Sequence, residues 1–299
     1  MSPPNDNFKV ITIFVLGFSV YSFLGEWKKM LLFNKKCSKC GQKYDKTLDK
    51  CPSCQIDNDT PLNRRFNKNV VFLDTEIQVG LFFIGFSYLG MLIVQFFLGF
   101  FINVNTIGGK TLLTCLSYGI IFIGLLALAL TNRPNLFISR FKRWQDYLIG
   151  IAYAAVLIGL GLLIPIIMHK ITGVPMSGDE IDNTNQKLAR DMVRNYPIPT
   201  FFILTIIGPI CEEITYRVGL FTFLKRINTV LAFIVSSLVF AAVHFNFTAE
   251  NMTLELIALP SYIVLGLLLT LAYQHRGPAC SMVAHMSYNV LAWVMLFNK

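Results

Sequence analysis

Apolar residues run almost without interruption through eight stretches, near 10–25, 79–102, 111–130, 147–168, 199–224, 229–247, 257–274 and 279–297, with polar residues gathered between them. Each approaches the ~20 residues that a helix needs to cross a bilayer. The pattern predicts an all-α polytopic membrane protein with about eight transmembrane helices. The first stretch is short, and Trp27 beside Lys28 and Lys29 reads as its interfacial anchor. No small-residue cleavage site follows it, so it is expected to be a retained span. Residues 171–198 are polar and mixed in charge, which predicts a loop or a surface helix.

Composition sharpens this picture by exclusion. Of 299 residues, 54% are hydrophobic and 14% charged, and the mean hydropathy is +0.56. A soluble domain carries about 25% charged residues. A soluble enzyme, a disordered tail and a secreted disulfide scaffold are therefore excluded. The net charge of +9 would point to nucleic acid in a soluble protein, but here its distribution matters more, and nucleic acid is not an expected partner.

Eighteen lysines and arginines fall on one side of the proposed membrane, eleven of them in 26–78, against seven on the other. The richer side is expected to be cytoplasmic. That places 26–78 and 131–146 inside and 171–198 outside. The lysine-, asparagine- and isoleucine-rich composition and the lack of targeting signals suggest a bacterial plasma membrane.

Residues 37–54 read CSKCGQKYDKTLDKCPSC, two Cys-x-x-Cys knuckles separated by ten residues. Cys37, Cys40, Cys51 and Cys54 can supply the four sulfurs of a tetrahedral structural zinc. A closed four-sulfur shell offers no position to substrate, so this zinc would fold a small cytoplasmic ribbon and catalyse nothing. Disulfides or a redox pair are the alternative, which a reducing compartment disfavours. Six lysines between 35 and 50 make anionic lipid or a protein the expected partner of the ribbon.

Ionisable residues inside the later spans mark the candidate chemistry, because charge at membrane depth is costly. The fifth span contains GPICEEITYR, with Glu212, Glu213 and Arg217. The sixth carries FAAVH, Phe240 to His244, and the eighth carries HMSYN, His285 to Asn289. Arg217 lies four residues after Glu213, so these two can neutralise each other and leave Glu212 free. Gly208-Pro209 is expected to break the helix and put both glutamates in the first turn of a half-helix. At ~1.5 Å per residue, Glu212 and His244 lie at similar heights, roughly 21 and 25 Å from the basic turn near 226, whereas His285 lies only ~12 Å from its own turn.

This set suits peptide hydrolysis in a dry cavity. A carboxylate takes a proton from water, a histidine orients that water directly or through a metal, and asparagine with a second histidine stabilises an oxyanion. A transporter with a midplane ion site, or separate interhelical hydrogen bonds, would use the same residue types.

EEITYR, FAAVH and HMSYN, in this order, resemble the EExxxR, FxxxH and HxxxN motifs of the CAAX protease and bacteriocin-processing (CPBP, or ABI) family of intramembrane endopeptidases. The resemblance covers roughly 147–299. It implies Glu212 as catalytic base, His244 as its partner on water, and His285 with Asn289 as the oxyanion pair. Glu213, Arg217 and Phe240 take supporting places. The resemblance leaves open a catalytic divalent metal such as zinc, with His244 and His285 as candidate ligands. It also allows an idle scaffold or bacteriocin-immunity protein.

The expected organisation is a first span in 1–34, the zinc ribbon in 35–56 and a linker in 57–78. Two spans and a basic loop follow in 79–146, then the catalytic bundle in 147–299.

Overall fold

The computed structural model describes residues 34–36, 43–45, 51–53, 76–132, 141–174 and 182–298. The chain forms two compact units, Met1–Arg65 and Phe66–Lys299.

In the first unit, β1 (Asn34–Lys36) pairs antiparallel with β2 (Lys43–Asp45), with Lys35 opposite Tyr44. The residues joining the strands include Cys37 and Cys40, and these, with Cys54 and the expected span at 10–25, lie outside the described residues. Cys51 is described and buried. One bound zinc per chain is the expected result of metal analysis on freshly purified, reduced protein. Serine at Cys37 and Cys40 should abolish it while leaving the helical bundle extractable. Zinc-free reduced protein would contradict the ribbon.

The second unit is helical throughout its described residues. Its elements are α1 (Glu76–Gly99), α2 (Ile107–Asn132), α3 (Trp144–Thr172), α4 (Thr184–Asn195), α5 (Pro197–Lys225), α6 (Thr229–Val243), α7 (Met252–Arg276) and α8 (Pro278–Asn298). Six of these, all but α4 and α6, are long and apolar enough to cross a membrane. Their outward faces carry large apolar side chains such as Leu89, Phe97, Ile123 and Ile151, as lipid contact requires.

Seven of the eight apolar stretches thus fall on helices, but the sixth is shorter than its hydropathy suggests. The run 229–247 is helical for only 15 residues. Its end is built from polar contacts: the His244 N–H turns back to the Ala241 carbonyl, and the Asn246 N–H donates to Glu255 Oε2 at 3.1 Å. Fifteen residues span about 22 Å, short of the ~30 Å hydrocarbon core. α6 therefore ends, just before His244, short of the length that a full crossing needs.

The polar stretch 171–198 contains α4, opened by a capping box in which the Asn183 side chain accepts from the Gln186 N–H at 2.9 Å and Gln186 returns a bond to Asn183 N–H. Glu255, 1% exposed, ties this helix to α7. It accepts from the Thr184 N–H at 2.8 Å and from Asn183 Nδ2 at 3.4 Å.

α8 packs on α3, α6 on α7, and α1 on both α2 and α5. The apolar centre is built from Leu157, Tyr216, Phe240, Leu265, Leu269 and Ala284. Helices in lipid gain little from hydrophobic burial against one another, so close backbone approach carries more of the packing. Gly266 of α7 shows this: a Cβ there would lie 3.0 Å from the Ser237 Cα and 3.1 Å from its carbonyl oxygen.

Short connections alternate the helix directions, placing Lys142, Arg143, Lys225, Arg226 and Arg276 at one end of the bundle and α4 at the other. In intact cells, an impermeant maleimide should label Lys187→Cys and spare Thr60→Cys. The reverse pattern would overturn the charge-based orientation.

Candidate active site

α5 positions the acidic pair, and its helical geometry is unusual. Ile203–Ile207 and Ile214–Phe221 are wide π-turns flanking Gly208–Glu213. Such turns inside α-helices are frequent at functional sites. The expected break at Gly208-Pro209 does not occur. Helical dihedrals run through Gly208, and its N–H reaches the Ile203 carbonyl five residues back. Pro209 has no N–H, so a π-turn at this point leaves the Leu204 carbonyl without an intrahelical donor. Asn289 supplies one, its Nδ2 donating to Leu204 O at 2.8 Å. The glutamates thus lie inside a continuous helix rather than in the first turn of a new one.

Glu213 and Arg217 are completely buried. Glu213 Oε1 lies 2.9 Å from Arg217 Nη1 and accepts from His285 Nδ1 at 3.0 Å. Arg217 also donates through Nη2 to the Gly266 carbonyl at 3.1 Å. Its guanidinium sits 4.7 Å from the centre of the Phe240 ring, a cation–π contact in a dry setting. Phe240 is the hub of the site. Its ring lies 4.7 Å from that of His244, 5.4 Å from Tyr216 and 5.9 Å from His285. The height difference expected for His285 is absorbed by the packing, since the α5 and α8 side chains meet.

Glu212 faces the other way. Its side chain is 19% exposed and lines a cavity of about 220 Å³ together with His244, Tyr88, Tyr118, Tyr216 and Asn185. His285 Nε2 is 3.7 Å from Glu212 Oε2. His244 Nδ1 donates to the Phe240 carbonyl at 2.8 Å. A carbonyl only accepts, so the neutral ring carries its free lone pair on Nε2. The ring stacks on Tyr262 at 4.8 Å and 24°, and the Tyr262 hydroxyl accepts from Asn185 Nδ2 at 3.2 Å.

The structure therefore brings together Glu212 and His244 at the cavity. Glu213, Arg217, Phe240 and His285 form a buried network behind it. His285 and Asn289 do not line the cavity, and Asn289 is bonded to Leu204. Sequence reasoning missed Tyr88, Tyr118, Asn185, Tyr262 and Glu255. The visible signal was a hydroxyl, amide or acid within or beside an apolar run, which is too common to single out.

Among the described residues, no three His, Cys, Asp or Glu side chains converge as a metal-ligand set. His244 Nδ1 is bonded to the Phe240 carbonyl and His285 Nδ1 to Glu213, so each ring keeps Nε2 as the nitrogen that a metal would take.

A multi-pass helical membrane protein with a carboxylate and a histidine at one cavity is the class that fold and site define. The family model described as Type II CAAX prenyl endopeptidase Rce1-like matches residues 194–291, a third of the chain. The match contains all three motifs and supports an intramembrane peptidase. No curated protein and no solved structure matches the chain.

Proposed function

We propose that this protein hydrolyses a peptide bond of a membrane-associated peptide or protein, with water activated by Glu212. The observation that carries this reading is the division of labour within the acidic pair. Arg217 neutralises Glu213, whereas Glu212 opens on the cavity that His244 also lines.

A water between the two would give a proton to Glu212 and a hydrogen bond to His244 Nε2. The hydroxide so formed attacks the peptide carbonyl carbon. Glu212 then returns the proton to the departing amine. The cavity includes His244 at the short end of α6, and a bound peptide that displaces water from it would strengthen each electrostatic contact. Glu213, held by Arg217 and His285, fixes the helix that aims Glu212. His285 and Asn289 remain the pair that the family resemblance assigns to the oxyanion, and Asn289 would serve it only by rearranging or through its second amide hydrogen.

The reading also takes the protein to be a bacterial plasma-membrane enzyme whose basic ribbon docks anionic lipid or a protein. His244→Ala tests the catalytic core. Peptide turnover by purified protein should fall about 100-fold, with unchanged yield of monodisperse protein. Undiminished turnover would remove His244 from the mechanism.

A further inference from the structure

The cavity has a wall that the matched family segment does not supply. Tyr88 lies on α1, more than a hundred residues before that segment, yet its hydroxyl is 2.9 Å from that of Tyr216 on α5. Both tyrosines line the cavity with Glu212 and His244. The two helices are fastened close by. A Cβ at Gly80 would meet Gly219 O at 3.0 Å and the Phe223 Cβ at 2.9 Å, so the backbones touch there. The Ser87 and Thr215 hydroxyls pair at 2.5 Å next to the tyrosines. Tyr216 is 6% exposed and its ring packs edge-on against Phe240, so its hydroxyl has little freedom to move.

Two hydroxyls that bond each other use only one of their two hydrogens. The accepting hydroxyl keeps an O–H to offer, and Tyr88, half-buried beside the immobile Tyr216, is the one able to turn toward an occupant. Hydrolysis needs such a donor where charge develops on the attacked carbonyl oxygen. Of the groups expected there, His285 Nδ1 is bonded to Glu213 and Asn289 Nδ2 to Leu204, and neither residue lines the cavity.

We propose that the Tyr88 hydroxyl, oriented by its bond from Tyr216, donates to the carbonyl oxygen of the peptide bond being cut, so that α1 completes the active site. The proposal rests on the peptidase reading above. Tyr88 is then a catalytic residue and Tyr216 a positioning residue.

The test uses full-length protein in detergent and a pool of quenched fluorescent peptides, each carrying a prenylated cysteine. Tyr88→Phe keeps the ring and removes only the hydroxyl. It should lower kcat about 100-fold and leave KM within about twofold, because the bond strengthens only in the transition state. Tyr216→Phe should lower kcat less, with KM again unchanged. Thermal stability of both variants should match the parent, which separates this role from a structural one. Glu212→Gln runs in parallel. Parental kcat in Tyr88→Phe, with Glu212→Gln inactive, overturns the tyrosine assignment and leaves the peptidase reading standing. A rise in KM alone makes Tyr88 a binding group and also overturns it. Parental kcat in Glu212→Gln overturns both.

Discussion

Glutamine at Glu212 should lower peptide hydrolysis by at least about 100-fold while leaving the protein folded. The amide has the shape of the carboxylate but cannot take a proton from water, so the step that makes the nucleophile is lost. Folding should survive because Glu212 faces a cavity and makes only a 3.7 Å approach to His285. The buried pairing belongs to Glu213, bonded to Arg217 and His285. Activity per unit of monodisperse protein is the quantity to compare. A fully active Glu212→Gln protein would end the catalytic assignment whatever the motifs suggest.

Arg217→Ala should behave in the opposite way, with loss of folded protein preceding any loss of specific activity. The change leaves Glu213 fully buried without its cation, and it removes the cation over Phe240 and the donor to Gly266. Breaking one side of a buried pair costs about 3–5 kcal/mol, a large part of the total stability of a typical domain. Size-exclusion profiles after extraction should show aggregate in place of the monodisperse peak. The double variant Glu213→Gln with Arg217→Met removes both charges and should recover much of that peak. A monodisperse Arg217→Ala protein with parental yield would show that the pair does not support the fold.

The contrast between these residues is legible in the sequence, because a spacing of four on a helix brings Glu213 under Arg217. The helical class was equally plain, since lipid permits few other ways to satisfy a backbone. Where reading failed, a local exception was at work. Pro209 suggests a break, but a π-turn absorbs it and Asn289, 85 residues away in sequence, takes up the Leu204 carbonyl. The apolar run through Phe245 and Phe247 lengthens the apparent sixth span, while contacts made by His244 and Asn246 end α6 at Val243. Tyr88 looked like one aromatic residue among many in an apolar run. Its pairing with Tyr216 joins positions 128 apart, and no periodicity within α1 announces it.

Hydrolysis by water activated within this chain leaves an isotopic record in its products. Purified protein is incubated with the prenylated-cysteine peptide pool in water enriched in oxygen-18, and the products are read by mass spectrometry. New peptide termini should appear whose fresh carboxylate carries one heavy oxygen, and they should be lost in Glu212→Gln. Cleavage without the label, or the same labelled products from Glu212→Gln, would contradict this chemistry.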